Sequence, residues 1–200
     1  MQRDVMNYDL LIIGAGPAGL GAAIRFKQLA NEAGKDLSVC VLEKAAEVGA
    51  QIISGAVIDP IALNELIPDW KQKGAPLKTA VSEDKFQFMT SDKAWTIPHW
   101  LMPPLMKNSG NYIGSLGELC SWLGGQAEEL GVEIYAGFSA QEALYNEQGD
   151  LIGVITGDMG SDADGEPTAQ FVAGIEIQAP FTLIAEGARG SLARQLESHF

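Results

Sequence analysis

Apolar residues along this chain fall either into short unbroken blocks or into stripes at helical spacing. The block from Tyr8 to Ile13 reads as a buried strand, and Leu37 to Leu42 ("LSVCVL") as a second, ending at Glu43. Between them, Pro17 to about Ala33 has helical periodicity, with Leu20, Ala23, Phe26 and Ala30 along one face. Gly34-Lys35-Asp36 breaks that helix. Strand, helix and strand in this order predict a βαβ unit, and the crossover is long enough for parallel pairing.

Residues 44–113 are less regular. Asp59-Pro60 supplies an N-cap and a first-turn proline for a short helix within Ile58 to Trp70. "WTIPHWLMPP", Trp95 to Pro104, is apolar but broken by prolines, which predicts a loop or edge segment. Regularity returns at Ser115, where Leu116, Leu119, Leu123, Ala127 and Leu130 recur at helical spacing up to Gly131. "VEIYAG" then reads as a strand, and "EALYNEQGDLIGVITG" as a hairpin turning at Asn146 to Asp150. Asp158 to Pro167 is polar and reads as an exposed loop. Ile175 to Gln178 and Phe181 to Ala185 are the last strands, and "GSLARQLESHF" opens a helix. The fold expected is α/β, a central parallel sheet with a small antiparallel β-meander. Residues 44–113 form an irregular insertion in it, and 140–180 a β-hairpin segment.

Composition narrows the chemistry. Among 200 residues, 13 Lys and Arg face 26 Asp and Glu, a formal charge of −13, which argues against nucleic-acid binding through a basic face. No Lys or Arg occurs from Asn108 to Ala188, where thirteen acidic residues read as a solvated surface. The two cysteines, Cys40 and Cys120, have no C-x-x-C spacing, so this chain provides no ligand set for zinc or an iron–sulfur cluster. The uncharged run Leu10 to Ile24 is 15 residues, holds Pro17 and four glycines, and follows Asp4 and Asp9. It is shorter than the roughly 18 residues of a membrane span and lacks the basic lead of a signal peptide.

Gly14, Gly16 and Gly19 spell G-x-G-x-x-G directly after the first strand and at the start of the first helix. The first glycine permits a tight turn, the second lets backbone approach phosphate oxygens, and the third lets the helix pack closely on the sheet. The free amides and positive dipole end of the helix then suit a pyrophosphate. Glu43, at the end of the second strand, is placed to accept the hydrogen bonds of ribose hydroxyls, and argues against a 2′-phosphate. That much fits NAD and FAD alike.

"TLIAEGARGSLARQL", residues 182–196, resembles the second flavin fingerprint of glutathione-reductase-type flavoproteins. The resemblance implies that Glu186 and Gly187 approach the ribityl chain or flavin, with Glu where Asp is usual. It also places Ala140 on the adenine side. Both imply FAD as the cofactor, in a Rossmann-like FAD-binding domain spanning residues 1–200 and incomplete at its end.

"EVGAQIISGAVIDPIALNELIPDWKQKGAPL", "NSGNYIGSLGELCSWLGGQAEELGVEIYAGFSA" and "LIAEGARGSLARQL" together resemble the electron transfer flavoprotein–ubiquinone oxidoreductases. The resemblance implies an oxidoreductase that passes electrons from reduced electron transfer flavoprotein, through FAD and a [4Fe–4S] cluster, to ubiquinone. It implies a peripheral protein of the inner membrane, on the cytoplasmic side if bacterial. The cluster cysteines and most of the quinone-binding domain would lie beyond residue 200, so this chain resembles the N-terminal FAD-binding portion. Gly14, Ala15, Gly16 and Gly19 match the pyrophosphate loop and Glu43 the ribose acceptor, while Gly49, Gln51, Ser54 and Gly55 match the loop beside the flavin. The stretch from Val48 to Asp69 is similar to part of the membrane surface, with Ile58, Ile61, Leu63, Leu66 and Ile67 as its apolar residues. No catalytic side chain is expected, because a flavin itself takes and releases electrons. The alternatives are a geranylgeranyl-reductase-like or monooxygenase relative, and a non-catalytic FAD-binding fragment.

Overall fold

A computed structural model describes residues 3–53, 55–161 and 167–199. In chain order its elements are β1 Val5–Asn7, β2 Leu10–Ile13, α1 Pro17–Glu32, β3 Val39–Glu43, β4 Ala56–Ile58, α2 Ile61–Leu66, β5 Thr79–Ala80, β6 Phe86–Met89 and β7 Ala94–Ile97. Then come β8 Tyr112–Gly114, α3 Leu116–Glu129, β9 Val132–Ala136, β10 Ala140–Tyr145, β11 Leu151–Thr156, β12 Met159–Ser161, β13 Pro167–Val172, β14 Glu176–Gln178, β15 Thr182–Ile184 and α4 Ser191–His199. The chain divides into two compact units, Met1–Ile52 with Cys120–Phe200, and Ile53–Leu119.

In the first unit, a parallel sheet has the order β15-β2-β3-β9. Its two central strands, LLII and VCVLE, are buried along nearly their whole length, as expected of strands covered on both faces. A second sheet, β1-β14-β11-β10, is antiparallel except where β1 pairs with β14. Tyr8, Leu11, Ile13, Cys40, Leu42, Ala140, Val154, Ile177 and Leu192 form one apolar cluster. Glu133 Oε2 accepts the hydroxyl of Tyr8 at 2.6 Å and that of Tyr135 at 2.7 Å, so the polar tips of the two rings share one acceptor. These donated bonds hold the Glu133 carboxyl below its ordinary range.

The buried stripe of α1 is Gly19, Leu20, Ala23, Ile24, Lys27 and Ala30. It departs from the expected face at Phe26, which is only half-buried, and at Lys27, whose stem is buried while Nζ donates to the Leu37 carbonyl at 2.9 Å. At the same end of the sheet, Asp9 Oδ2 accepts both the amide (2.7 Å) and the hydroxyl (2.8 Å) of Ser38, tying β2 to the entry of β3. The Ser38 amide, then its hydroxyl, hold the Asp9 carboxyl below its usual value. A depressed folded-state pKa contributes stability above the unfolded value and loses it as pH falls through the folded one. Between about pH 6 and about pH 3 the melting temperature of the wild-type chain is therefore expected to fall further than that of Asp9→Asn. Equal falls in calorimetric scans would remove this latch from the account.

The second unit holds the sheet β4-β8-β5 and a separate ribbon of β6 and β7. Asp59 Oδ1 accepts the Ile61 amide at 3.0 Å, which starts α2 where the Asp-Pro pair predicts; the helix runs to Leu66, within the expected stretch. Trp70 is buried, edge-on to Tyr112 at 5.5 Å, with Nε1 donating to Asn64 Oδ1 at 2.7 Å. Further departures from the sequence reading are additional strands, β4, β5 and β8 among them. Val5–Asn7 pairs with β14, Phe86–Met89 and Ala94–Ile97 form a hairpin, and β12 and β13 flank 162–166, which lie outside the described residues.

Candidate functional site

The register Ile184–Ile13–Leu42 aligns the carboxyl ends of β15, β2 and β3. Gly14 N–H donates to the Leu42 carbonyl at 2.8 Å, and Ala185 N–H to the Ile13 carbonyl at 2.8 Å. From β2 the chain moves to β3 on one side, while β15 returns on the other. This reversal of strand order is where open α/β sheets form a ligand crevice.

Each glycine of the loop meets a different demand. Gly14 has φ +107°, and a Cβ there would stand 2.5 Å from the Ala185 carbonyl oxygen. A Cβ on Gly19 would fall onto the Gly14 carbonyl oxygen. Gly16 is unlike both: a Cβ there meets nothing within 4 Å. Gly16 is also the N-cap of α1, with Pro17 following, no side-chain cap and no acid in the first turn. The first-turn amides of α1 thus carry no side-chain cap, and the backbone leading into them borders open space.

Glu43 Oε2 accepts the Ala15 amide at 3.0 Å and Oε1 accepts the Ala45 amide at 2.8 Å. A carboxylate offers about four acceptor positions, so two remain for sugar hydroxyls. The Ala15 amide, expected in the pyrophosphate loop, is therefore engaged with Glu43, and Ala15 itself is buried. Its contribution is to the shape of the loop, which nothing in the glycine spacing indicates.

The other expected residues are spread more widely. Glu186 turns its carboxylate onto α4, where Oε2 accepts the Ala193 amide at 3.0 Å. Gly187 is exposed. Ala140 is a core residue at the start of β10, opposite Thr156. Gly49 and Gln51 lie in the turn that follows β3, closed by the Ile52 amide on the Gly49 carbonyl. Ser54 lies outside the described residues, and Gly55 belongs to the second unit. The structure thus brings together Gly14, Ala15, Gly16, Gly19, Glu43 and the backbone of Ala185.

Burial pushes the Cys40 thiol up to about 12, and burial with the nearby Glu43 charge pushes Cys120 up to about 11, so neither is a thiolate nucleophile. Among the described residues no group of three His, Cys, Asp or Glu could hold a metal ion. The arrangement offers one helix end without a side-chain cap and, beside it, one acid held on the Ala15 amide. It suits binding an elongated nucleotide, with any electron chemistry left to that ligand.

Residues 12–66 match the family described as NAD(P)-binding Rossmann-like domain. The chain is 54% identical over 198 residues to the electron transfer flavoprotein–ubiquinone oxidoreductase of Pseudomonas aeruginosa, covering 98% of this chain and 36% of that one. It is 52% identical to the mitochondrial protein of that name from Mus musculus, over 100% of this chain and 32% of the relative. The structure resembles the geranylgeranyl bacteriochlorophyll reductase-like protein of Thermoplasma acidophilum (TM-score 0.62, 17% identity, 92% of this chain and 40% of that one). It also resembles the flavin-dependent monooxygenase PieE, solved in complex with FAD and substrate (TM-score 0.62, 15% identity, 96% and 32%). These two likenesses speak for the fold. The chain spans about a third of the length of the two oxidoreductases.

Proposed function

We propose that the chain is the FAD-binding part of an electron transfer flavoprotein–ubiquinone oxidoreductase, relatives of which it matches at 52–54% identity over nearly its own whole length. That enzyme passes electrons from reduced electron transfer flavoprotein to ubiquinone. One observation carries the binding: the uncapped α1 end beside Gly16, next to a Glu43 carboxylate with acceptor positions to spare. The residues fit the cofactor. Gly16 and the first turn of α1 would take the pyrophosphate, and Glu43 the adenosine ribose.

Bound FAD supplies reversible electron transfer, which no side chain here provides. The chain's own part is placement. Gly14 and Gly19 set the loop, Glu43 fixes it through the Ala15 amide, and the buried strands keep water from beneath it. Gly49, Gln51, Ser54 and Gly55 remain the proposed flavin-side loop, with Ala140 towards the adenine. A [4Fe–4S] cluster does not fit this chain, whose two cysteines are both buried and far apart in sequence.

The membrane surface is proposed in the second unit. Leu63 and Ile67, two of the apolar residues expected on it, pack inward, which corrects that part of the sequence reading. The larger exposed apolar set is Phe86, Phe88, Met89, Trp95, Trp100 (78% exposed) and Leu105 (98%). Lys85, Lys93 and Lys107 are balanced there by Glu83, Asp84 and Asp92, with Lys85 paired to Glu83 at 2.8 Å, so the exposed apolar side chains are what suit a lipid surface. No helix among the described residues is long and apolar enough to cross a membrane.

Gel filtration after mixing with excess FAD tests the reading. Retention of one flavin per folded chain is expected, and its absence from a folded chain overturns it. Tryptophan fluorescence with lipid vesicles is expected to blue-shift for the wild-type chain and not for W95S/W100S; no shift in either rejects the lipid surface.

A further inference from the structure

Two helices begin at the carboxyl edge of the parallel sheet, α1 after β2 and α4 after β15. Their N-termini differ in chemistry. That of α1 has no side-chain cap and no acid in its first turn. That of α4 is occupied from within the chain: Glu186 Oε1 accepts the Ser191 amide at 3.2 Å and its hydroxyl at 3.3 Å, and Oε2 accepts the Ala193 amide at 3.0 Å. A carboxylate on the first amides of a helix neutralises both the unpaired donors and the positive dipole end.

Gly190 gives independent testimony to this placement. A Cβ there would fall onto Glu186 Oε2 and lie 2.8 Å from Glu186 Cβ. The acid folds back through the space that any larger residue at 190 would fill. Glycine at this position is therefore explained by the inward-turned acid, with no demand from backbone torsion.

We propose that Glu186 is a positioning residue that seals α4 with the chain's own anion, so that the phosphates of a nucleotide are directed to α1 alone. The proposal rests on the dinucleotide reading above for its ligand, and on the local geometry for the seal. An unsealed α4 would offer a second anion-binding helix end one strand away, and a pyrophosphate could then settle in either place. The same geometry keeps the Glu186 carboxylate on Ser191 and Ala193 while a nucleotide is bound. Gly187 and the backbone after it, not the Glu186 side chain, are what the chain presents towards a ligand.

Residue-resolved amide exchange tests this, on the ligand-free chain and with inorganic pyrophosphate or FAD. In the wild-type chain Ser191 and Ala193 are expected to be protected, and in Glu186→Gln to exchange about five- to tenfold faster, as for the loss of a helix cap. Gly190→Ala, which displaces the acid without removing it, is expected to do the same, and Glu186→Asp to restore part of the protection. Pyrophosphate is expected to slow exchange at Gly16, Ala18 and Gly19 but not at 191–193 in the wild-type chain, and at both places in Glu186→Gln. A purely structural cap would not produce that second pattern. Pyrophosphate protection at 191–193 in the wild-type chain, unchanged exchange in Glu186→Gln, or loss of Ser191 and Ala193 protection on adding FAD each overturns the proposal. Failure of FAD to bind removes the flavin reading instead, and leaves the pyrophosphate comparison to decide this one.

Discussion

Gly19→Ala is expected to destabilise the first unit by about 3 kcal/mol, lowering its melting temperature by roughly 6–12 °C. The added methyl falls onto the Gly14 carbonyl oxygen, and both atoms sit on backbone that cannot move without shifting α1 against β2. Gly16→Ala provides the contrast. Its φ of −80° and ψ of −179° suit alanine, and the new methyl meets no protein atom within 4 Å. Its melting temperature is expected to stay within about 2 °C of wild type, while FAD affinity falls at least about tenfold because the methyl projects where phosphate oxygens must approach. Thermal melts and calorimetric titration of the two variants check the pair. Equal FAD affinity for Gly16→Ala and the wild-type chain would place the phosphates elsewhere.

Glu43→Gln is expected to weaken binding about 10- to 100-fold, the size of one or two lost charge-assisted hydrogen bonds. Ala15 and Ala45 each donate an amide to a different carboxylate oxygen, so the glutamine NH2 must face one of these donors. A stability loss of about 1–3 kcal/mol is expected from that clash of donors. The ligand comparison separates sugar binding from loop shape. ADP and FAD share the adenosine ribose, so both are expected to lose affinity by a similar factor. A loss confined to FAD would move the carboxylate away from that sugar.

How much of this was legible in the sequence depends on how far each feature is local. β2, α1 and β3 declare themselves because strands buried on both faces leave unbroken apolar runs, and the glycines between them have fixed offsets. Glu43 is legible for the same reason. The β6–β7 ribbon is not, since its residues are largely exposed and show no alternation between a wet and a dry face. β1 is three residues long and exists through its pairing with β14, far away in sequence. Lys27 hides in the α1 stripe because its character changes along its own side chain. The Glu186 seal is hidden differently. The acid lies five residues ahead of Ser191, outside the spacing of a capping box, so the motif suggests a ligand contact where the fold makes a helix cap.

The division into units has an evolutionary reading. Ile53–Leu119 enters the first unit after Ile52 and rejoins it at Cys120, inside the single crossover from β3 to β9, and those two strands pair directly in unbroken register from Val39–Val132 to Glu43–Ala136. Mutations can accumulate in the inserted piece, or a different module can be spliced there, without altering one ladder hydrogen bond of the nucleotide-holding sheet. A lineage could thus exchange what its flavoprotein touches while inheriting intact the machinery that grips the nucleotide.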